Sequence, residues 1–265
     1  MHNKSKSPAS VLTIAGSDSC GGAGIQADLK TFGCHGTEGA SVLTAITAQN
    51  TLGVTQVETL SAELVKAQLE AVFEDLPIRA AKTGMLANAS IIEQVASVLE
   101  THPEVKLVID PVMVATSGAR LLDRDAERVL VERLLPRAGL VTPNLPEALT
   151  LTGLPEETPP DEIAGHILEL GCRAVLIKGG HASGATVEDL LISKQGKSSF
   201  SHPRIDRRIH GTGCALSAAI TARLGLGEDL EMAVSGGIEW LQTMIAHTWQ
   251  PLKGELAMLP FGRKG

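Results

Sequence analysis

The chain has 265 residues, of which 43% are hydrophobic, enough for a sizeable core. This length favours a single α/β domain over two full domains. Its 30 acidic residues outnumber its 23 Lys and Arg, and only 2% of its residues are aromatic, with no tyrosine. Nucleic-acid binders need basic surfaces, and single-strand binders need aromatic stacking platforms, so we predict that nucleic acid is not a partner.

The cysteines and the amino-terminal segment indicate the compartment. Four cysteines are scattered along the chain: Cys20, Cys34, Cys172 and Cys214. They form no CxxC pair and no zinc-ligand spacing, which favours a reducing compartment. No signal peptide and no run of about 18 uncharged apolar residues is evident. We therefore predict a cytoplasmic protein with no membrane partner, with a flexible N-terminus at 1–10 and a single domain at 11–265.

Short β-branched runs alternate with longer amphipathic runs, as in βαβ units. Buried strands are predicted at 11–15, 105–110, 138–144 and 173–180, and helices at 61–76 and 88–102. Two strand pairs are predicted, 37–50 with 54–60 and 186–193 with 197–205, followed by helices at 213–227 and 230–248. Buried strands that end in polar or glycine residues are typical of a parallel sheet.

Two glycine motifs resemble nucleotide-binding signatures but fail in their context. GAGIQA (22–27) matches G-x-G-x-x-[GA], yet its glycines come several residues after the strand, and no acidic residue follows about 20 positions later. We interpret it as a turn at a helix start. GKS (196–198) lacks the first P-loop glycine, which would fall on Leu191, so we predict a hairpin turn there.

The stretch HGTGCALSAAI (210–220) predicts a tight turn that opens a helix, with Cys214 at the junction. Backbone amides at a helix start form an anion site when glycines keep side chains away, as Gly211 and Gly213 would. The partial positive charge at the helix start is also expected to lower the pKa of the Cys214 thiol. The alternative is a closely packed helix start with a structural cysteine.

Ligands of a doubly wound sheet bind beyond the carboxyl ends of its strands, so polar residues after the predicted strands are candidates. They are Asp18, Gln49, Lys82, Asp110, Asn144, Glu147 and Lys178. Carboxylates that hold a metal and a lysine that neutralises phosphate are what a nucleoside triphosphate with magnesium requires. Asn144 and Glu147 also fit a helix capping box, which is compatible with phosphate contact.

Several of these segments together resemble one family, the hydroxymethylpyrimidine/phosphomethylpyrimidine kinases of thiamine biosynthesis, in the ribokinase-like superfamily. The segments are AGSDSCGGAGIQADLKTF (15–32), TAITAQNT (44–51), KTGML (82–86), TPNLPEA (142–148), KGGH (178–181) and HGTGCALSAA (210–219). The resemblance implies a ribokinase-like three-layer α/β/α sandwich with a central, mostly parallel sheet. It also implies ATP and Mg²⁺, and two phosphorylations, first of 4-amino-5-hydroxymethyl-2-methylpyrimidine and then of its monophosphate.

The resemblance also implies roles for residues around the phosphates. The backbone amides of Gly211, Thr212 and Gly213 would form an anion hole for the moving phosphoryl group. Cys214 would either take the alcohol proton or hold the alcohol in position, where related sugar kinases carry aspartate. Lys178 and Asn144 are expected at the ATP phosphates, and Asp110 and Glu147 at the magnesium ion.

For the pyrimidine, Gln49 is the leading candidate, because one side-chain amide offers the donor and the acceptor that an aminopyrimidine edge complements. Asp28 is expected as a second polar partner, with an exposed helix carboxylate as the alternative. Gly16, Met85 and Val112 would line the ring, although Met85 taken alone would be interpreted as core.

Some positions depart from the family pattern, and some alternatives stay open. Cys20 stands where serine or a similar residue is usual, and RIDRRIH (204–210) and the end of the chain (251–265) are also atypical. His210 is interpreted as a turn residue without a role. A pyridoxal kinase of the same fold and a non-catalytic pyrimidine-binding relative are the alternatives for function, and a homodimer is left open.

Overall fold

The structure, a computed structural model, describes residues 8–114, 121–181, 184–205 and 207–258. Most of the predicted flexible N-terminus, residues 1–7, lies outside these ranges. The strands found in them are β1 (Ser10–Ala15), β2 (Glu38–Leu43), β3 (Ala45–Asn50), β4 (Gly53–Thr59), β5 (Ile78–Thr83), β6 (Lys106–Ile109), β7 (Leu140–Val141), β8 (Ala174–Ile177), β9 (Thr186–Ser193), β10 (Gly196–Pro203), β11 (Ile209–His210), β12 (Thr248–Trp249) and β13 (Leu256–Met258).

The α-helices of the described residues alternate with these strands through most of the chain. They are α1 (Gly24–Cys34), α2 (Ala62–Asp75), α3 (Ala89–Glu100), α4 (Arg124–Val129), α5 (Leu145–Thr152), α6 (Pro160–Glu169), α7 (Thr212–Gly225) and α8 (Leu230–Ile245). The Ser61 hydroxyl caps α2 and the Asn88 side chain caps α3. Both caps stand at the predicted helix starts. Each side chain accepts a hydrogen bond from a backbone amide of the first turn, which stabilises that end of the helix.

An eight-stranded sheet organises the fold, in the order β10-β9-β8-β7-β6-β5-β1-β2. The six strands from β8 to β2 run parallel, and β9 and β10 add an antiparallel hairpin at one edge. The central, mostly parallel sheet that the sequence predicts is confirmed. Its carboxyl edge, where β6, β7 and β8 end, carries the polar residues considered below.

Alternation of side chains along the strands builds the two cores of a three-layer sandwich. Leu12 faces a cluster formed with α2 to α6, whereas its neighbour Val11 faces a cluster formed with α1, α7 and α8. The same alternation separates Leu107 from Val108 in β6. The α/β/α arrangement is therefore as predicted, because strands covered by helices on both faces are apolar on both.

Several strands differ from the predicted elements. The predicted strand 37–50 is divided at Thr44, whose backbone N–H donates to Ala15 and whose hydroxyl donates 2.6 Å to the Met85 carbonyl. Its first half joins the large sheet, and its second half pairs with β4 in a separate hairpin. Strand β5 was not predicted, and Lys82 lies inside it rather than after it.

The two glycine motifs adopt the predicted turns. Gly24 opens α1 with φ +56°, and Gly196 lies in the hairpin between β9 and β10. The last two strands join β11 in a small sheet that the sequence does not predict. Among the described residues, no helix is both long and apolar enough to cross a bilayer.

Candidate active site

The turn before α7 is built around Gly211, which has φ +82° and stands at the helix N-cap position. A Cβ atom at this residue would lie 1.7 Å from the Gly22 carbonyl oxygen, so no side chain fits there. The turn therefore packs directly on the loop that leads into α1. This confirms the predicted tight turn at the start of a helix, with Thr212, Gly213 and Cys214 in its first turn.

Lys178, Asp110 and Glu147 meet beside this turn. The Lys178 Nζ atom lies 3.0 Å from Asp110 Oδ1 and 4.0 Å from Glu147 Oε2. It also approaches α7, because a Cβ atom on Gly213 would be only 3.4 Å from it. The Ser217 hydroxyl donates 3.1 Å to Asp110 Oδ2 from the same helix. Residues from the ends of β6, β7 and β8 thus converge on the amino terminus of α7.

The charges of this group are strongly coupled. Burial alone would raise the pKa of Asp110, but Lys178 and Lys82 outweigh it and hold that pKa below its ordinary value. Burial would lower the pKa of Lys178, yet Asp110 and Glu147 raise it well above its usual range. Burial also raises the pKa of Glu147 to about 7, with Lys178 opposing the shift. Lys82 is already paired with Asp28, and Lys178 alone does not offset the burial of Glu147 beside Asp110, which favours an additional cation here.

The donor set fits magnesium. Mg²⁺ binds oxygen ligands and is commonly held by one or two carboxylates together with substrate phosphates. Asp110 and Glu147 supply two such carboxylates, both largely buried and both facing Lys178. These two residues would hold the ion.

Asn144 occupies the N-cap of α5 and forms the predicted capping box. Its Oδ1 atom accepts a hydrogen bond of 2.9 Å from the Glu147 amide, and its own amide donates 2.8 Å to Glu147 Oε2. An isolated β-bridge joins Asn144 to Lys178. The box fixes Glu147 near Lys178, so the capping role and a place beside the phosphates coexist in the structure.

Cys214 differs from its prediction. Burial raises the pKa of its thiol to about 11; Asp110 and Asp28 act in the same direction, against Lys82 and the Gly24 amide. The prediction that the helix start acidifies the thiol is therefore wrong. A helix dipole contributes only partial charges, whereas two carboxylates and burial act on this sulfur together.

Asp28 also differs from its prediction. Its side chain has no exposed surface, and its two oxygens accept hydrogen bonds from Lys82 Nζ at 2.8 Å and from the Thr13 hydroxyl at 2.6 Å. This corrects the prediction that Asp28 contacts the substrate, and also its alternative of an exposed helix carboxylate. The carboxylate instead neutralises a buried lysine beneath the sheet edge.

Gln49 lies on β3, close to His210. Its Nε2 atom is 3.5 Å from His210 Nε2, and the Thr47 hydroxyl donates 3.2 Å to its Oε1 atom. Both Gln49 and His210 line a cavity of about 630 Å³ between the β3–β4 hairpin and the small carboxy-terminal sheet. Gln49 thus stands at the wall of an open space, and Lys178, Asp110 and Glu147 are not among the residues that line it.

Of the residues predicted to line the ring, Gly16 and Met85 lie together. A Cβ atom on Gly16 would be 3.1 Å from Met85 Sδ, so the glycine leaves room for the thioether. Met85 is 9% exposed, at the rim of the core on the α2–α6 face, and Val112 packs partly buried against the same core. None of these three residues is among those that line the cavity beside Gln49.

The interactions of three residues near the site were not predicted from the sequence. His210 is buried and donates 2.8 Å to Asp18, and Ser217 and Lys82 bond to Asp110 and Asp28 respectively. Ser217 follows Cys214 by three positions, a spacing that places both on one side of a helix, and this signal could have identified it. The partners of His210 and Lys82 are far away in the sequence.

The convergence of a glycine-rich helix start with a lysine and two carboxylates, at the carboxyl edge of a three-layer sandwich, defines a ribokinase-like small-molecule kinase. A sequence model described as phosphomethylpyrimidine kinase matches residues 18–258. The chain belongs to the phosphomethylpyrimidine kinase family, which confirms the predicted resemblance. Membership of a kinase family implies use of ATP.

Individual relatives agree with this assignment. The chain is 50% identical to the hydroxymethylpyrimidine/phosphomethylpyrimidine kinase of Rhizobium meliloti (strain 1021), over 89% of this chain and 90% of that protein. A crystal structure of phosphomethylpyrimidine kinase from Clostridium difficile 630 is similar with a TM-score of 0.79 and 44% identity, covering 89% and 99% of the two chains. Pyridoxal kinase from Staphylococcus aureus, in complex with AMP-PCP and pyridoxal, has a TM-score of 0.85 and 34% identity, covering 95% and 93%.

Proposed function

We propose that the protein transfers the γ-phosphoryl group of ATP to the hydroxymethyl group of 4-amino-5-hydroxymethyl-2-methylpyrimidine, and then phosphorylates the resulting monophosphate, in thiamine biosynthesis. The observation that carries this proposal is the position of Lys178, Asp110 and Glu147 against the amino-terminal turn of α7. Phosphoryl transfer depends on positioning and on stabilisation of charge, and this group supplies both.

The backbone amides of Gly211, Thr212 and Gly213 would receive the charge on the equatorial oxygens of the moving phosphoryl group. Lys178 and Asn144 would contact the ATP phosphates, and Asp110 and Glu147 would hold Mg²⁺. When bound, that ion would neutralise negative charge on the phosphates. The alcohol oxygen forms the new bond to the γ-phosphorus, and the bond to the bridging oxygen breaks to release ADP.

Cys214 would act in this reaction as a thiol that orients the alcohol. A pKa of about 11 leaves a thiolate fraction on the order of 10⁻⁴ at pH 7. In a loose transition state the nucleophile needs little activation before attack, so a well-placed neutral thiol is sufficient. The alcohol proton stays on the oxygen until the new bond to phosphorus has formed, and is then released from the product to solvent. Of the two roles predicted for Cys214, positioning is the one that this pKa supports.

The pyrimidine would lie between Gln49 and the apolar group formed by Gly16, Met85 and Val112. The Gln49 amide would pair with the aminopyrimidine edge through one donor and one acceptor. Its open position beside the cavity supports this role. The apolar residues would supply a surface for one face of the ring.

A coupled ADP-release assay tests the function directly. Hydroxymethylpyrimidine, its monophosphate, pyridoxal and hydroxyethylthiazole are compared at equal concentrations. We expect the first two to give the highest kcat/KM. Pyridoxal kinase is the second candidate, because a solved structure of pyridoxal kinase from Staphylococcus aureus with pyridoxal shares this fold with a TM-score of 0.88. A higher kcat/KM with pyridoxal would replace the proposed function, and no ADP release with any of the four would favour a non-catalytic binder.

A further inference from the structure

Three side chains with metal-binding atoms meet at the edge of the candidate pyrimidine site. Asp18 and Cys20 follow β1, and His210 precedes α7. One oxygen, one sulfur and one nitrogen atom from these residues lie within 4.8 Å of one another. Nothing in the phosphoryl-transfer scheme uses them as ligands. The sequence gives no metal spacing for this group because His210 is 192 positions from Asp18.

The loop that carries Asp18 and Cys20 is held in place by hydrogen bonds from its own backbone amides to the Asp18 carboxylate. Asp18 Oδ1 accepts a hydrogen bond of 3.0 Å from the Cys20 amide, and Oδ2 accepts bonds of 3.0 and 2.8 Å from the Gly22 and Ala23 amides. The carboxylate side chain is 1% exposed. Two of the three ligand residues are therefore fixed relative to each other before any ion binds.

The ligand atoms are close to the spacing of a tetrahedral zinc site. Asp18 Oδ2 lies 2.8 Å from His210 Nε2 and 3.4 Å from Cys20 Sγ. Around Zn²⁺, with bonds of about 2.0–2.3 Å, neighbouring ligand atoms are about 3.2–3.8 Å apart. The ligand atoms of Cys20 and His210 lie within 4.8 Å of each other, so the exposed Cys20 side chain would move toward His210 when the ion binds. Cys20 is exposed, so an ion can enter from solvent on the thiol side.

We propose that Asp18, Cys20 and His210 form a binding site for Zn²⁺ or a similar thiophilic divalent cation, with water as fourth ligand, and that binding inhibits the enzyme. Cys20 releases its thiol proton to solvent and binds as thiolate. His210 binds through Nε2 and carries its proton on Nδ1. Bonds from Asp18 and His210 to the ion replace the hydrogen bond between them. A thiolate, an imidazole and a carboxylate together suit zinc better than magnesium.

Inhibition follows from the position of the site and rests on the proposed function. His210 Nε2 lies 3.5 Å from Gln49 Nε2, the amide assigned to the pyrimidine edge. An ion on His210 and its bound water would compete with the pyrimidine for this space. The binding of the ion does not depend on that assignment, so binding and inhibition are measured separately.

Cobalt binding tests the site without any turnover. Co²⁺ is titrated into the wild type, Cys20→Ser, and the control Cys34→Ser, which removes another exposed thiol from the end of α1. We expect a thiolate-to-cobalt charge-transfer band in the wild type and in Cys34→Ser, and none in Cys20→Ser. Serine keeps a donor to Asp18, so the loop should stay folded. A band of equal strength in Cys20→Ser, or no band in the wild type, would overturn the site.

Zinc inhibition tests the consequence. With MgATP saturating and in excess over Zn²⁺, zinc should raise the KM for the pyrimidine in the wild type and in Cys34→Ser. In Cys20→Ser the concentration for half-inhibition should rise at least tenfold. Cobalt binding without zinc inhibition would keep the site and reject its effect on catalysis. Equal inhibition of all three proteins would place the inhibitory ion elsewhere.

Discussion

Lys82 and Asp28 form an ion pair of 2.8 Å in which neither side chain has any exposed surface. Burial alone would lower the pKa of Lys82, but Asp28 and Asp110 raise it above its ordinary value. The charge of Lys82 also acts on Cys214, whose thiol pKa it lowers against the effect of burial. The pair thus joins the β5 strand and the α1 helix beneath the start of α7.

Asp28→Asn should strongly destabilise the protein. The amide cannot neutralise Lys82, and removing one partner of a buried pair costs about 3–5 kcal/mol because the other charge remains. The free energy of unfolding is measured by urea denaturation. Glu70→Gln is the control, because it breaks the exposed Lys66–Glu70 pair of 3.7 Å and should cost less than about 0.5 kcal/mol. Equal losses in the two variants would contradict the argument.

The residues at the strand ends could be predicted because a parallel sheet brings its carboxyl ends to one edge. Asp110, Asn144 and Lys178 follow β6, β7 and β8 as expected. Asp28 could not be predicted, since a carboxylate near the start of a helix is usually exposed, whereas Asp28 lies on the buried face of α1. Its partner Lys82 is 54 positions away in the sequence. The thiol pKa of Cys214 depends on such distant carboxylates, so the local helix argument gave the wrong direction.

Gly211→Ala should disrupt the turn before α7 and abolish most phosphoryl transfer. The new Cβ would lie 1.7 Å from the Gly22 carbonyl oxygen, so one loop must move. Gly227→Ala is the control. Gly227 also has positive φ, +100°, but a Cβ there meets nothing within 4 Å, so only the backbone cost of about 1–2 kcal/mol applies. Single-turnover rates and thermal unfolding compare the two. Normal rates in Gly211→Ala would show that the close approach is dispensable.

Gln49→Ala should weaken pyrimidine binding before ATP binding. Loss of one or two hydrogen bonds, each worth about 0.5–1.5 kcal/mol, should raise the pyrimidine KM roughly tenfold and leave the ATP KM within about twofold. The control is Gln56→Ala, an exposed residue on the neighbouring strand β4. Steady-state kinetics with each substrate varied in turn provide the values. An equal rise in both KM values would place Gln49 outside the pyrimidine contact.

His202 should make stability depend on pH. A hydrogen bond of 3.2 Å to Asp189 raises the pKa of His202, against the opposing effect of burial. Because the folded-state pKa is raised, the stabilisation is complete below the unfolded pKa of about 6.5 and is lost as pH rises through the folded value. Urea midpoints between about pH 5.5 and about pH 8.5 should therefore decrease more in the wild type than in His202→Gln. An equal decrease of the urea midpoint in both proteins would contradict a role of His202 in this pH dependence.

This pair also holds the backbone next to Lys178, because Asp189 Oδ1 accepts a hydrogen bond of 2.8 Å from the Gly179 amide. The ATP KM of the wild type should then rise along with the loss of stability at high pH. In His202→Gln the ATP KM should be higher than in the wild type at low pH, and it should change little as pH rises. An ATP KM that rises equally in both proteins would show that another group titrates.

Cys214→Ala should reduce kcat roughly 100-fold while the pyrimidine Kd stays within about threefold, because orientation of the alcohol is lost but ring contacts remain. Cys214→Ser separates the two roles of the thiol. If the residue positions the alcohol, a serine hydroxyl substitutes and kcat stays within about tenfold of the wild type. If it removes the proton, serine is as poor as alanine, since its hydroxyl is a far weaker acid than the thiol. Stopped-flow single turnovers and equilibrium binding give both quantities, and equal kcat values for serine and alanine would restore the base role.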